Sequence, residues 1–259
     1  MYTDGSDYGA ATSLGVRADD SAGDVRYDRS VAVFIHENRP GRWASDYVSL
    51  NDIEIFDGDG DGKPEILVST DQEILEWETD HFERTWSVHD VDPFDAEAEL
   101  GGGGLGRLTH GDFDGDGRME FILPALGPSG AAGVNVEART YYARVFENTG
   151  DDEYELVARL PVGITGNMQF VNSGDVDGDG IPEFLIGGSP GACQRFELWT
   201  ATGNNLYERI WAYDGYNPRD YPTDQGATAF GDLDGDGDDE LVINLGQAVM
   251  ALEWSNGEF

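Results

Sequence analysis

GDFDGDGRMEFIL (residues 111–123) sets acids and glycines at alternate positions and then turns abruptly apolar. Asp112, Asp114, Asp116 and Glu120 lie close along the chain, where like charges repel. The pattern recurs as FDGDGDGKPEILV (56–68), GDVDGDGIPEFLI (174–186) and GDLDGDGDDELVI (231–243). One such run is compatible with a solvated turn. Four in one register require a cause.

Counted from the first aspartate, carboxylates occupy positions 1, 3, 5 and 9 of every run. They are Asp57, Asp59, Asp61 and Glu65; Asp112, Asp114, Asp116 and Glu120; Asp175, Asp177, Asp179 and Glu183; and Asp232, Asp234, Asp236 and Glu240. Position 6 is always glycine (Gly62, Gly117, Gly180, Gly237), which allows a sharp turn. Dense oxygen donors suit a hard cation, and Ca²⁺ takes about six to eight oxygens at roughly 2.3–2.6 Å. Zinc and copper favour nitrogen and sulfur, and Mg²⁺ keeps its waters. Position 7 carries the unlike residues Lys63, Arg118, Ile181 and Asp238, as expected of a backbone-carbonyl ligand whose side chain is unconstrained. The residues at positions 1, 3, 5, 7 and 9 are therefore the expected metal set, for about four Ca²⁺ ions.

An EF-hand loop needs a bidentate glutamate at position 12 and a helix on each side. Position 12 here is Val68, Leu123, Ile186 or Ile243, each inside a short aliphatic run that reads as a strand. The loop thus joins two strands.

The runs begin 55, 63 and 57 residues apart, a period that points to a propeller or another repeat array. Each is followed by a second hairpin: EILEWETDHFERTW (73–86), ARVFENTGDDEYELVARL (143–160), RFELWTATGNNLYERIWAY (195–213) and VMALEWSNGEF (249–259). A fifth copy, VAVFIHENRPGRWASDYV (31–48), precedes the first run. GAATSLGV (9–16) parallels GATAFGDL (226–233), so residues 9–48 read as a repeat whose acidic loop has degenerated to RADDSAGD. The expectation is all-β: one β-propeller domain over 1–259, built of four-stranded antiparallel blades. Five blades, closed by the N- and C-terminal segments, would be made of the degenerate repeat 9–48 and loop repeats 49–104, 105–165, 166–222 and 223–259. Residues 1–8 would supply the last outer strand, which removes exposed sheet edges.

The loop-then-strand pattern resembles the FG-GAP or VCBS repeat of integrin α-subunit propellers and related microbial surface proteins, GDVDGDGIPEFLIGGSP (174–190) most clearly. The resemblance covers four repeats strongly and the first weakly. It implies propeller blades with Ca²⁺ held between the first two strands of each. The family pattern usually ends in aspartate at position 9, where this chain has glutamate throughout.

The chain has 259 residues, 39% hydrophobic, with 36 glycines, enough for a real core. Its net charge of −37 argues against nucleic acid and anionic membranes as partners. No apolar run reaches the roughly 18 residues of a membrane helix, so membrane insertion is not expected. Residues 1–10 lack the features of a secretory signal. Lys63 is the only lysine, against fourteen arginines, and so acidic a surface is that of a halophilic protein. Cys193 is alone and reads as an inert thiol. His36, His81, His89 and His110 show no metal-ligand spacing, and no nucleophile motif or phosphate loop is present. Gly101–Gly104 reads as a mobile loop, and the insert 127–142 as the distinctive loop for a partner. Trp77, Trp199 and Trp254 read as matching hairpin positions, and all six tryptophans as packing groups rather than a ligand platform.

The function expected is a non-catalytic, calcium-binding extracellular recognition or adhesion module with no catalytic residues. Its partners would be a protein or glycan ligand, or neighbouring subunits of a surface assembly. A structural or host-attachment subunit of a virion or appendage, and a domain of a polysaccharide-acting enzyme, are the alternatives.

Overall fold

The computed structural model describes residues 53–68, 72–78, 81–91, 108–126, 141–162, 168–188, 194–216, 227–244 and 249–259. The degenerate repeat 9–48, the closing strand at 1–8, His36, Trp43, Gly101–Gly104, residues 127–140 of the insert and Cys193 lie outside these residues.

The described chain is all-β apart from one helical turn, α1 (Val88–Val91). It forms four antiparallel sheets, each a meander in chain order. Sheet 1 is β1 (Ile53–Phe56), β2 (Glu65–Val68), β3 (Glu73–Glu78) and β4 (His81–Ser87). Sheet 2 is β5 (Thr109–Gly111), β6 (Glu120–Leu126), β7 (Tyr141–Gly150) and β8 (Glu153–Val162). Sheet 3 is β9 (Met168–Gly174), β10 (Glu183–Gly188), β11 (Gln194–Gly203) and β12 (Leu206–Tyr216). Sheet 4 is β13 (Ala227–Gly231), β14 (Glu240–Asn244) and β15 (Val249–Leu252).

Every acidic loop joins the first two strands of its sheet, and the register is the same in all four. The residue before position 1 faces the position-9 glutamate: Phe56 with Glu65, Gly111 with Glu120, Gly174 with Glu183, and Gly231 with Glu240. That register fixes the face of every following side chain, because strand residues alternate between faces. In β6, Phe121 and Leu123 pack toward sheet 1, while Ile122 packs toward sheet 3. In β10, Phe184 and Ile186 pack toward sheet 2, while Leu185 packs toward sheet 4. The second strands β6 and β10 are thus buried on both faces. Their unbroken apolar runs, FIL and FLI, fit that placement.

The first strands lie side by side, β1 by β5, β5 by β9 and β9 by β13. Polar pairs join them: His110 Nδ1 lies 3.4 Å from Glu54 Oε2, Thr109 and Ser173 share a hydroxyl hydrogen bond of 2.8 Å, and Asn172 Nδ2 donates to Thr228 O at 2.8 Å. Three apolar clusters fill the spaces between consecutive sheets. Between sheets 1 and 2, Trp86 meets Phe121 and Phe146 edge to face, with centroids 5.2 and 5.0 Å apart.

Trp199 departs from the expected match with Trp77 and Trp254. Trp199 is opposite Phe184, directly after position 9, whereas Trp77 follows Glu76, the partner of Glu65. Trp199 therefore takes the place of Leu75 and Phe146, inside the core. Spacing along a hairpin does not reveal cross-strand register, and this set the two tryptophans apart.

Truncation in a cluster should cost far more than truncation on the surface. Phe121→Ala should lower stability by roughly 3–5 kcal/mol. Leu206→Ala, at a residue 63% exposed, should stay within about 0.5 kcal/mol. Chemical denaturation of both variants checks this.

Candidate metal centre

Each loop is wound by its own carboxylates. The position-3 aspartate accepts the position-5 N–H: Asp61 to Asp59 at 3.0 Å, Asp116 to Asp114 at 3.1 Å, Asp179 to Asp177 at 3.3 Å, Asp236 to Asp234 at 3.1 Å. The position-5 aspartate accepts the position-7 N–H at 2.7–3.1 Å. In the first three loops the position-1 aspartate accepts the Gly62, Gly117 or Gly180 N–H. In the fourth, Asp232 accepts the Gly235 N–H instead. Glycines at positions 4 and 6 both have positive φ, +74° and +93° for Gly115 and Gly117. Such a backbone is costly for any residue with a Cβ. The need for glycine at position 4 is an addition to the sequence reading.

The position-9 glutamate closes the loop by accepting the position-2 N–H through Oε2: Gly58 to Glu65, Phe113 to Glu120, Val176 to Glu183, Leu233 to Glu240. Carboxylate oxygens converge as a result. Asp57, Asp59, Asp61 and Glu65 each place an oxygen within 4.8 Å of the others. Asp112, Asp114 and Glu120 do so in loop 2, Asp175, Asp177 and Glu183 in loop 3, and Asp232, Asp234 and Asp236 in loop 4. Asp179 and Glu240 stand outside their loop's group, and Asp116 groups instead with Asp114 and Glu147.

The donor set fits a hard cation, and so does its incompleteness. Glu65 and Glu120 are 1% and 0% exposed, and the Oε1 of each is buried without a hydrogen-bond partner. Asp112 Oδ1 is likewise unpartnered. Buried anionic oxygens aimed at other anions are costly unless a positive charge meets them. Burial, then the loop aspartates, push Glu65 up to about 7 and Glu120 up to about 8. Burial does the same to Glu183, up to about 7.

Position 7 departs from expectation, for its side chains are engaged. Lys63 bridges Asp61 at 3.2 Å and Glu76, and Arg118 reaches Glu147 at 3.0 Å. The hydrogen bonds to Glu76 and Asp61 hold Lys63 well above the usual lysine range. Ile181 packs on Gly115 and Asp238 on Gly178, the position-4 glycines of the preceding loops. These residues differ because their surroundings differ. Glu76 and Glu147, each directly across from a position-9 glutamate, demand a cation, whereas the last two side chains fill the gap between loops. Glu147 escaped the sequence reading because it is distant in sequence and enters through strand pairing. His110 lies tilted against Phe56, with centroids 4.9 Å apart, and joins none of the acidic clusters of the loops.

The segment from the third loop into β14 matches a known sequence family over residues 175–243. The model it matches there is that of an FG-GAP-like repeat. No curated protein matches the chain at a significant level. Among solved structures it is similar to Bacillus licheniformis rhamnogalacturonan lyase PL11, with 21% identity, a TM-score of 0.52 and 78% of this chain aligned. An exotype rhamnogalacturonan lyase, YesX, aligns over 78% with 18% identity and a TM-score of 0.49. The chain spans only about two-fifths of these lyases, 40% and 39% of their lengths. The likeness is one of fold.

The raised glutamates of the first three loops set a pH dependence for the metal-free protein. Their folded pKa values exceed the unfolded ones, so the folded state holds protons that the unfolded state has lost. This stabilisation is full below the unfolded value and disappears as pH rises through about 7 to 8. In chelator, Glu120→Gln should therefore be more stable than wild type near about pH 8.5 and closer to it near about pH 5. Denaturant midpoints at the two pH values check the sign.

Proposed function

We propose that the protein is a calcium-braced β-propeller of five blades that acts outside the cell as a non-catalytic recognition or adhesion module. The observation that carries the metal reading is the buried, unpartnered Oε1 of Glu65 and of Glu120 within converging aspartates. Carboxylates from positions 1, 3, 5 and 9 would hold the ion, with the position-7 carbonyl of Lys63, Arg118, Ile181 or Asp238. Calcium supplies positive charge that lets these acids lie together, and the protein residues fix the hairpin register. Free Ca²⁺ at the level such loops need is found outside the cell, which favours that location.

Side-by-side first strands and the apolar layers between sheets support the propeller. Val249 is 71% exposed on sheet 4, Leu233 is 63% exposed in the fourth loop, and Ile55 is 62% exposed on sheet 1. A fifth blade from residues 9–48, with residues 1–8 as closing strand, would cover both ends. Recognition would then use the faces of the ring, with a protein, a glycan or neighbouring subunits as partner and the acidic surface keeping the module soluble at high salt. The lyase-like fold favours a second reading, a domain of a polysaccharide-acting protein. Turnover of rhamnogalacturonan by the full chain would decide for it.

Calcium should raise the thermal unfolding temperature of the whole chain. A site filled at about 100 times its Kd adds roughly 2.7 kcal/mol. Asp112→Asn with Asp114→Asn should remove part of that gain. Identical melting in calcium and in chelator would refute the metal reading.

A further inference from the structure

The outer turns of sheets 2 and 3 do not end in solvent. Each reaches the acidic loop of the sheet before it. Asp152, at a positive φ of 57°, donates its backbone N–H to Asp59 Oδ2 at 3.1 Å. Asn205, with the same φ of 57°, donates its backbone N–H to Asp114 Oδ2 at 2.6 Å. Asn205 Nδ2 also donates to Glu147 Oε2 at 2.6 Å, and Asn204 Nδ2 to Asp116 Oδ2 at 2.7 Å. Two residues beyond each of these N–H donors stands a tyrosine. Tyr154 is 3% exposed, and its hydroxyl lies where a Cβ on Gly58 would come within 2.4 Å. Neither the Tyr154 nor the Tyr207 hydroxyl has a hydrogen-bond partner at normal geometry, although Asn148 lies beside the Tyr154 hydroxyl.

We propose that the cation sites of loops 1 and 2 are composite, completed by Asp152 and Tyr154 and by Asn205 and Tyr207 from the next sheet. Cation binding and the docking of consecutive sheets are then one coupled equilibrium. The inference rests on the calcium reading above. Its independent support is that both sides of each junction carry buried polar atoms without a hydrogen bond: Glu65 Oε1 and the Tyr154 hydroxyl at loop 1, and Glu120 Oε1 and the Tyr207 hydroxyl at loop 2. At loop 1 the Tyr154 hydroxyl lies against Gly58, whose N–H donates to Glu65 Oε2 at 2.5 Å.

The turn residues act as positioning residues. The position-3 aspartate accepts one N–H from its own loop and one from the next sheet, so its plane is fixed before a cation arrives. Such outer partners orient ligands and raise affinity. Linkage is reciprocal, so whatever cation binding gains from a docked turn, docking gains from a bound cation. Loop 3 is held differently, by loop 4: the Asp239 N–H donates to Asp175 O at 2.7 Å, and the Asp175 N–H donates to Asp239 Oδ2 at 3.1 Å.

Calorimetric titration of the full chain with Ca²⁺ tests the proposal, using Tyr207→Phe and Asn205→Gly. Glycine keeps the left-handed backbone and the N–H while removing the side chain. Each variant should weaken one bound ion about tenfold and leave the others unchanged, the scale of losing an outer partner. In melting experiments, each should shrink the calcium-induced rise while changing the chelated protein less. Wild-type isotherms in both variants, with melting lowered equally in calcium and chelator, would make the turns packing elements only and overturn the proposal. A wild-type chain that takes up no Ca²⁺ would instead overturn the calcium reading on which it rests.

Discussion

The constraint on which the four sheets depend is the crowding of carboxylate oxygens within 4.8 Å at one end of each first hairpin. At that range, in a partly buried setting, unscreened repulsion amounts to kcal/mol per pair. The loop tolerates it through two means visible in the structure. Backbone N–H groups at positions 2, 5, 6 and 7 turn toward the acids, and glycines at positions 4 and 6 make the backbone path possible. Even so, an oxygen on each of Glu65 and Glu120 is left buried and unmatched. That deficit is the strongest chemical statement the protein makes, and it calls for positive charge.

The loop also determines packing at a distance. By setting the position-9 glutamate opposite the residue before position 1, it fixes which of the next three side chains faces which neighbour. Phe121 and Leu123 then fall on one side of sheet 2 and Ile122 on the other. A slip of one residue would exchange these sets and leave both interlayer cores wrong. The energy of the fold lies in those aromatic and aliphatic layers, while the choice of register lies in the acids. Sheet order and loop chemistry are therefore one problem, and the outer turns that reach back to loops 1 and 2 couple them directly.

Much of this was legible in the sequence because it is local. Acid spacing located every loop, apolar runs located the strands after them, and the absent position-12 carboxylate ruled out helical flanks. What escaped depends on register or on neighbouring sheets. Glu76 and Glu147 were one acid among many until strand pairing placed them opposite Glu65 and Glu120. Lys63 and Arg118 looked incidental at a variable position, yet they answer those buried glutamates. Asp152 and Asn205 read as ordinary turn residues, and only the stacking of one sheet on the next brings their N–H groups to an aspartate. Tryptophan spacing misled for the same reason, since Trp77 and Trp199 differ in cross-strand position.

Anomalous diffraction from crystals of the full chain grown with Ca²⁺, or with a lanthanide in its place, tests the central claim most directly. The account predicts an anomalous peak inside each loop, bounded by its position-1, -3, -5 and -9 carboxylates, with Oε1 of Glu65 and of Glu120 turned toward the ion. Peaks confined to the outer acidic surface, or loops whose glutamates meet only protein donors, would contradict it.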